Sequence, residues 1–395
     1  MSLRHMTSAV VDAAQRVGVA PAAPRHLELG GAELAVVGSA RVYVCGITPY
    51  DVTHVGHAAT FVWADLLATV LDRTGVETRT CRNVTDVDDV LLEAARRRGS
   101  YFDELALTQE AVFEQSMRAL RVATPAHQPR ARYHVDAVVQ LAQALLDAGA
   151  AYHRDGTVWF RGADVATGSG LDRDDALARS AAYGDRPDDP AKDDPFDVAV
   201  WRPSSDGEPA WPSAWGWGRP GWHAECAAMA LAVQGASVDV LVGGEDLLFP
   251  HHAYQAAMAE AVTGVRPFAR AELHVGEVRV AGQKMAKSTG NLVLVDDLLR
   301  DVSPAALRLH LLDRPYADAW DFERDRLAAS QQTLEALYGA AARPGSGEPG
   351  TGPDTGPDIV LDLLRDDLDV PAAVSAALEQ GGEVARQLIA TLRLG

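Results

Sequence analysis

The stretch Val44–His57, "VCGITPYDVTHVGH", carries one cysteine, two glycines and two histidines spaced H-x-x-H within fourteen residues. It overlaps residues 41–47 (RVYVCGI), which read as a buried strand, and precedes residues 58–73 (AATFVWADLLATVLDR), which read as a helix. A second strand is expected at 76–82 (VETRTCR). Strand, glycine-containing turn, helix and strand in that order make a βαβ unit. Its parallel sheet binds ligands at the carboxyl ends of the strands. The opening stretch can therefore be a metal site, a nucleotide site, or both on one strand end. Gly56 would let a backbone approach a phosphate closely, and His54 and His57 could donate hydrogen bonds to an α-phosphate under attack. Taken alone, H-x-G-H is equally a structural turn.

Composition narrows the classes. The chain of 395 residues is long enough for two or three structural units, and its 47% hydrophobic content suits a globular protein. No window approaches the roughly 18 unbroken apolar residues of a membrane span, and the first residues lack a signal peptide's apolar core, so a cytoplasmic address is expected. Three cysteines, Cys45, Cys81 and Cys226, do not make a disulfide framework. A net charge of -19 argues against a large nucleic-acid footprint, while small phosphorylated ligands remain compatible.

Residues 1–40 form an N-terminal extension, and 41–300 a Rossmann-like α/β catalytic domain with insertions: helical at about 101–148, irregular at about 183–222. Further strands are expected at 157–161 and 238–243. Residues 301–342 turn helical, 343–358 ("RPGSGEPGTGPDTGPD") read as a flexible linker, and 359–395 as one or two short helices.

A second chemical motif lies about 230 residues beyond the first. In "QKMAKSTGNLV" (283–293), Lys284 and Lys287 flank a short loop with Ser288, Thr289 and Gly290 behind it. Ammonium groups beside small residues suit a leaving pyrophosphate. The two motifs together resemble the HIGH and KMSKS signatures of class I aminoacyl-tRNA synthetases. Cys45 before the first motif, "NVTDVDD" (83–89), "RPGWHAECA" (219–227) and "GGEDLLFPHH" (243–252) sharpen the resemblance to the cysteinyl-tRNA synthetase family across roughly residues 40–325.

That resemblance implies a zinc site of Cys45, Cys226 and His251, with ligands from separate strand ends rather than a zinc-finger knuckle. Cysteinyl-tRNA synthetases add a glutamate four residues past the histidine. Here that position is Gln255, so three protein ligands would leave one position for the thiolate of substrate cysteine, which a serine hydroxyl could not replace. Cys81, in a strand without a partner, reads as a small buried hydrophobe. The resemblance further implies catalytic roles for His54, His57, Lys284 and Lys287. It implies contacts to ATP, bound with Mg²⁺, or to the adenylate from Gly46, Thr48, Gly56, Thr85, Gly244, Lys287 and Ser288. Cysteine contacts fall to Thr48, Trp222 and Asp246, the last facing the substrate ammonium. The acids of "NVTDVDD", Asp86, Asp88 and Asp89, could be a magnesium cluster, a helix N-terminus or a solvated turn.

The acceptor of the activated cysteine is a separate question. About 105 residues follow Ser288, too few for a normal anticodon-binding module, and "CGITPYDVTHVGHAAT" (45–60) and "AKDDPFDVAVW" (191–201) look like the cysteine ligases of mycothiol biosynthesis. Those enzymes join cysteine to the amine of glucosaminyl-inositol, so amide formation to that acceptor, by a monomer with no large nucleic-acid footprint and no membrane, is the expectation. Ala286 in the lysine loop, Ala253 after His252, and Val242-Gly243-Gly244-Glu245 depart from the family wording. A paralogue that uses another small amine, or a truncated cysteinyl-tRNA synthetase, is the alternative.

Overall fold

In the computed structural model, which describes residues 26–285, 289–344 and 358–395, a hairpin of β1 (Leu27–Leu29) and β2 (Ala32–Leu34) precedes β3 (Ser39–Ile47), α1 (Val55–Arg73) and β4 (Glu77–Val84). This is the βαβ unit expected at 41–82. α1 begins three residues before the expected start because His54 caps it, accepting a hydrogen bond from the Gly56 N–H.

The chain then leaves the sheet for α2 (Asp89–Arg98), α3 (Phe102–Ala119), α4 (Val135–Asp147), β5 (Ala151–Arg154), β6 (Thr157–Phe160), α5 (Ala163–Gly168), α6 (Arg173–Ala182), β7 (Val198–Pro203) and β8 (Gly218–Pro220). Strands β5 to β8 form their own antiparallel sheet. Two of these strands lie inside 183–222, which the sequence reading left irregular. Val198, Val200 and Trp201 are all buried, so β7 shows no clean alternation of apolar and polar positions. Gly218 lets β8 close on it, since a Cβ there would stand 2.3 Å from the Arg202 carbonyl oxygen.

The main sheet resumes with α7 (Trp222–Gln234), β9 (Val238–Gly244), α8 (Ala253–Thr263) and β10 (Ala269–Val275). Its order is β10-β9-β3-β4, all parallel. The chain moves from β3 outward to β4 and returns on the other side as β9, so the crevice at the carboxyl ends of β3 and β9 is the topological switch point. Alternation along β3 divides its side chains: Val42 and Val44 join the large core around α1, whereas Tyr43 and Cys45 face the opposite cluster with Cys81 and Cys226.

The remainder comprises β11 (Val278–Val280), β12 (Gln283–Lys284), α9 (Val295–Leu298), α10 (Pro304–Leu312), β13 (Trp320–Asp321), α11 (Arg324–Ala341), α12 (Ile359–Arg365), α13 (Val370–Gln380) and α14 (Gly382–Thr391). Residues 359–395 thus hold three helices rather than one or two, because Gly381 and Gly382 at positive φ break what reads as one helical stretch. These helices pack into the same core as α1. Arg308 on α10 fastens them: its guanidinium pairs with Asp65 of α1 and donates to the Leu392 carbonyl at 2.6 Å and the Leu120 carbonyl at 2.8 Å. Lys287, Ser288, residues 1–25 of the expected extension and 345–357 of the expected linker lie outside the described residues. No described helix is long and apolar enough to cross a membrane.

Candidate active site

A cavity of about 880 Å³ opens at the carboxyl ends of β3, β4, β9 and β10, and the predicted residues Cys45, Gly46, Thr48, His54, Gly56, His57, Thr85, Trp222, Cys226, Gly244, Asp246, His251 and Lys284 all line it. The two motifs are joined through the backbone. Val55 donates to the Val293 carbonyl at 2.9 Å and Val295 to that of Thr53 at 3.2 Å, which ties the start of α1 to the segment after the lysine loop.

Three donors converge on one side. Cys45 Sγ, Cys226 Sγ and a ring nitrogen of His251 lie within 4.8 Å of one another, the single such His/Cys/Asp/Glu group of three or more among the described residues. His251 Nε2 is 3.2 Å from Cys226 Sγ. Tetrahedral bonds of about 2.0 Å to nitrogen and 2.3 Å to sulfur require ligand atoms about 3.5–3.8 Å apart, so small adjustments would close this set around a metal ion. The surroundings prepare it. His223 Nδ1 lies 2.9 Å from His251 Nδ1, Asn83 Nδ2 donates to Cys226 Sγ at 3.2 Å, and Cys45 Sγ stands 3.3 Å from Gln255 Oε1. Burial pushes the Cys226 thiol well up, with Cys45 adding to the effect, so a cation is what would allow ionisation. Burial, then His223 and His252, hold His251 well below the usual imidazole range, which keeps it the neutral ligand a metal needs.

In the same cavity His54 and His57 stack with ring centroids 3.8 Å apart. His54 Nδ1 accepts from the Gly56 N–H at 3.2 Å, which leaves its proton on Nε2. Burial, then His57, lower His54 to about 3, and burial within the cleft also lowers His57, so both are neutral donors near pH 7. Gly56 makes room for this ring, because a Cβ would stand 3.0 Å from His54 Cε1. Gly46 serves the sheet: a Cβ there would meet the Asn83 carbonyl oxygen at 1.7 Å, where β3 and β4 shift register.

Also in the cavity, Lys284 Nζ and the Tyr183 hydroxyl both lie 2.9 Å from Asp246 Oδ2. Burial raises the Asp246 carboxyl and Lys284 more than offsets it, leaving it below the usual range. Tyr183 stacks on Trp222, which lies 4.0 Å from His251 between ring centroids. Thr48 and Thr85 share a 2.7 Å hydroxyl contact. The acids of "NVTDVDD" diverge: Asp86 pairs with Arg132, Asp88 caps α2, and Asp89 pairs with Arg202 and Arg219. They make a helix N-terminus and three ion pairs, not a magnesium cluster. Sequence reasoning passed over Asn83 and Tyr183. Asn83 is the penultimate residue of a strand, Glu77–Val84, that is mostly polar, so its side chain did not stand out. Tyr183, from the insertion, had no local sign.

This sheet, with its switch-point crevice and paired motifs, is the catalytic fold of class I aminoacyl-tRNA synthetases. It is shared with a methionyl-tRNA synthetase of Mycobacterium tuberculosis solved with methionyl-adenylate (TM-score 0.60, 18% identity, 91% of this chain and 82% of that one) and with LeuRS of Agrobacterium radiobacter K84 in a ternary complex (TM-score 0.60, 12% identity, 94% and 84%). The profile of the tRNA synthetases class I (C) catalytic domain matches residues 33–332, and the chain belongs to this family. Among curated relatives, proteins named L-cysteine:1D-myo-inositol 2-amino-2-deoxy-alpha-D-glucopyranoside ligase are 45% identical in Streptomyces griseus (85% of this chain, 83% of that one), and 44% identical in Acidothermus cellulolyticus (89% and 88%) and Mycobacterium marinum (89% and 89%).

Proposed function

We propose that this protein is an AMP-forming ligase that activates L-cysteine with ATP and joins it, through an amide bond, to the amine of 1D-myo-inositol 2-amino-2-deoxy-α-D-glucopyranoside, a step of mycothiol biosynthesis. The observation that carries the reading is that Cys45 and His54, nine residues apart, line one cavity together: a thiolate-binding set and an imidazole pair in the same crevice. The names of the relatives supply the acceptor.

Cysteine enters with its sulfur toward Cys45, Cys226 and His251. When bound there, a zinc ion would supply a strong bond to a deprotonated sulfur and none of comparable strength to a hydroxyl. Trp222 and Tyr183 cover the side chain and exclude water. Asp246 is the anion for the substrate ammonium, a role for which it must exchange Lys284. Lys284 is then free to meet phosphate oxygens. The cysteine carboxylate attacks the α-phosphorus of ATP, which is bound with Mg²⁺, and pyrophosphate leaves. The Nε2–H of neutral His54 and the ring of His57 donate to the phosphate oxygens as charge builds there, and Lys287 and Ser288 act on the pyrophosphate. The amine then attacks the acyl carbon and AMP departs.

Mass detection of the amide after incubation with ATP, cysteine and glucosaminyl-inositol tests this. Product with this amine in preference to a panel of other small amines is expected. Activation of cysteine followed by transfer only to a different amine would contradict the acceptor assignment.

A further inference from the structure

The cavity contains more than cysteine and nucleotide require. Its wall on the insertion side is lined by Asp88, Asp89, Val90 and Arg202, none of which the steps above use. Of the three acids in "NVTDVDD", Asp86 and Asp89 are tied to arginines, whereas Asp88 makes no ion pair among the described residues. Its Oδ1 accepts from the Val90 N–H at 2.8 Å, no hydrogen bond to Oδ2 is present among the described residues, and the residue lines the cavity. The residue is 8% exposed. A nearly buried carboxylate in a cavity wall, with one oxygen that no described donor reaches, is matched to a cationic hydrogen-bond donor.

We propose that Asp88 is the catalytic base of the second half-reaction: it receives the ammonium of the aminosugar and takes its proton. This rests on the acceptor reading above. An ammonium has no lone pair, so it must lose one proton to Asp88 before its nitrogen can bond to the acyl carbon of cysteinyl-adenylate. As the C–N bond forms, the bond from that carbon to the phosphate oxygen breaks, and its electron pair leaves with AMP. The second amine proton departs on the AMP phosphate, and Asp88 returns the first to solvent.

The electrostatics suit the role. Facing Asp88 are Asp89 on its own helix, Arg202 and Arg219 from β7 and β8, Glu225 and Cys226 from α7, and Tyr50 after β3. Burial raises the Asp88 carboxyl to about 6, with Asp89 contributing and the two arginines and the Val90 N–H opposing. A base with that affinity is ionised at neutral pH yet holds a proton well enough to remove one. The Arg202–Asp89 pair beside it offers donors and acceptors to sugar hydroxyls.

The test uses full-length enzyme and two nucleophiles. Glucosaminyl-inositol presents an ammonium at mildly acidic pH, while hydroxylamine is largely neutral and needs no base. Asp88→Asn and Asp88→Ser both keep a side chain able to cap α2. In each variant the ratio of amide formed with glucosaminyl-inositol to hydroxamate formed with hydroxylamine should fall roughly 10²- to 10⁴-fold against wild type. A ratio unchanged in both variants overturns the proposal, as does a wild-type transfer rate at saturating acceptor that shows no decline as pH falls through about 6. Wild-type enzyme that makes hydroxamate but no amide with glucosaminyl-inositol would instead remove the acceptor reading, and this proposal with it.

Discussion

His223 Nδ1 lies 2.9 Å from His251 Nδ1, and that contact sets which nitrogen of His251 faces the thiols. Burial lowers His223 to about 3 and holds His251 well below the usual imidazole range, so neither ring is charged and the two nitrogens share one proton between them. With Nε2 of His251 toward Cys226, its Nδ1 carries that proton and donates it to His223. Replacing His223 by phenylalanine removes the acceptor while keeping an aromatic ring. Zinc affinity, read by competition with a chelator on the substrate-free protein, should weaken roughly 10- to 100-fold, and unchanged affinity would show that His251 needs no such partner.

Cys81 provides the contrast. It lies among the same buried residues as Cys45 and Cys226, but burial, with Cys226 contributing, pushes its thiol to about 12. Cys81→Ala should leave zinc stoichiometry unaltered and cost about 1 kcal/mol, near the loss expected for a small buried group. Loss of bound metal would place Cys81 in the ligand set.

Stability of the whole chain should depend on Arg308. The residue is fully buried and pairs with Asp65, also buried, while holding the carbonyls of Leu120 and Leu392. Removing one partner of a buried pair strands the other charge, so Arg308→Met should destabilise by about 3–5 kcal/mol in denaturant unfolding. The double change Arg308→Met with Asp65→Leu should recover a large part of that loss. A single variant as stable as wild type would mean that the C-terminal helices are held by apolar packing alone.

The pH profile of cysteine activation should carry no histidine limb from His54. Its folded value of about 3 lies below the ordinary value of 6.5, so the ring gains a proton only as pH falls through about 3. The neutral donor is therefore present throughout the physiological range. His54→Ala should reduce ATP–pyrophosphate exchange by about 10²–10³-fold, the usual loss for one preorganised donor. A wild-type rate that rises or falls with a midpoint near 6.5 would assign His54 a charge it should not have.

Much of this was legible in the residues themselves. The strand at 41–47, the apolar helix after it and the two motifs define the sheet and its crevice, because buried parallel strands and their helices have strong periodic signatures. Cys45 and His54 belong to one short segment, so their joint presence on a strand end followed directly. Cys226 and His251 needed the family wording: only Cys45 lies on a strand end as expected, whereas Cys226 sits in α7 and His251 in the helical turn after β9, and long spacing hides that these meet. Strands β7 and β8 escaped notice because burial along β7 does not alternate and β8 has only three residues. The Lys284–Asp246 pair and the Tyr183 contact come from segments about 40 and 100 residues apart in sequence, and nothing local encodes such meetings.

The central claim is that the Cys45, Cys226 and His251 set selects cysteine by its sulfur and presents its carboxylate to ATP beside His54 and His57. Cysteine-dependent ATP–pyrophosphate exchange tests it most directly, with serine as the competing substrate and Cys226→Ala as the variant. Exchange with cysteine, little or none with serine, and loss of the cysteine reaction in the folded variant are expected. Exchange with serine as fast as with cysteine, or a Cys226→Ala enzyme that still discriminates between them, would contradict the account.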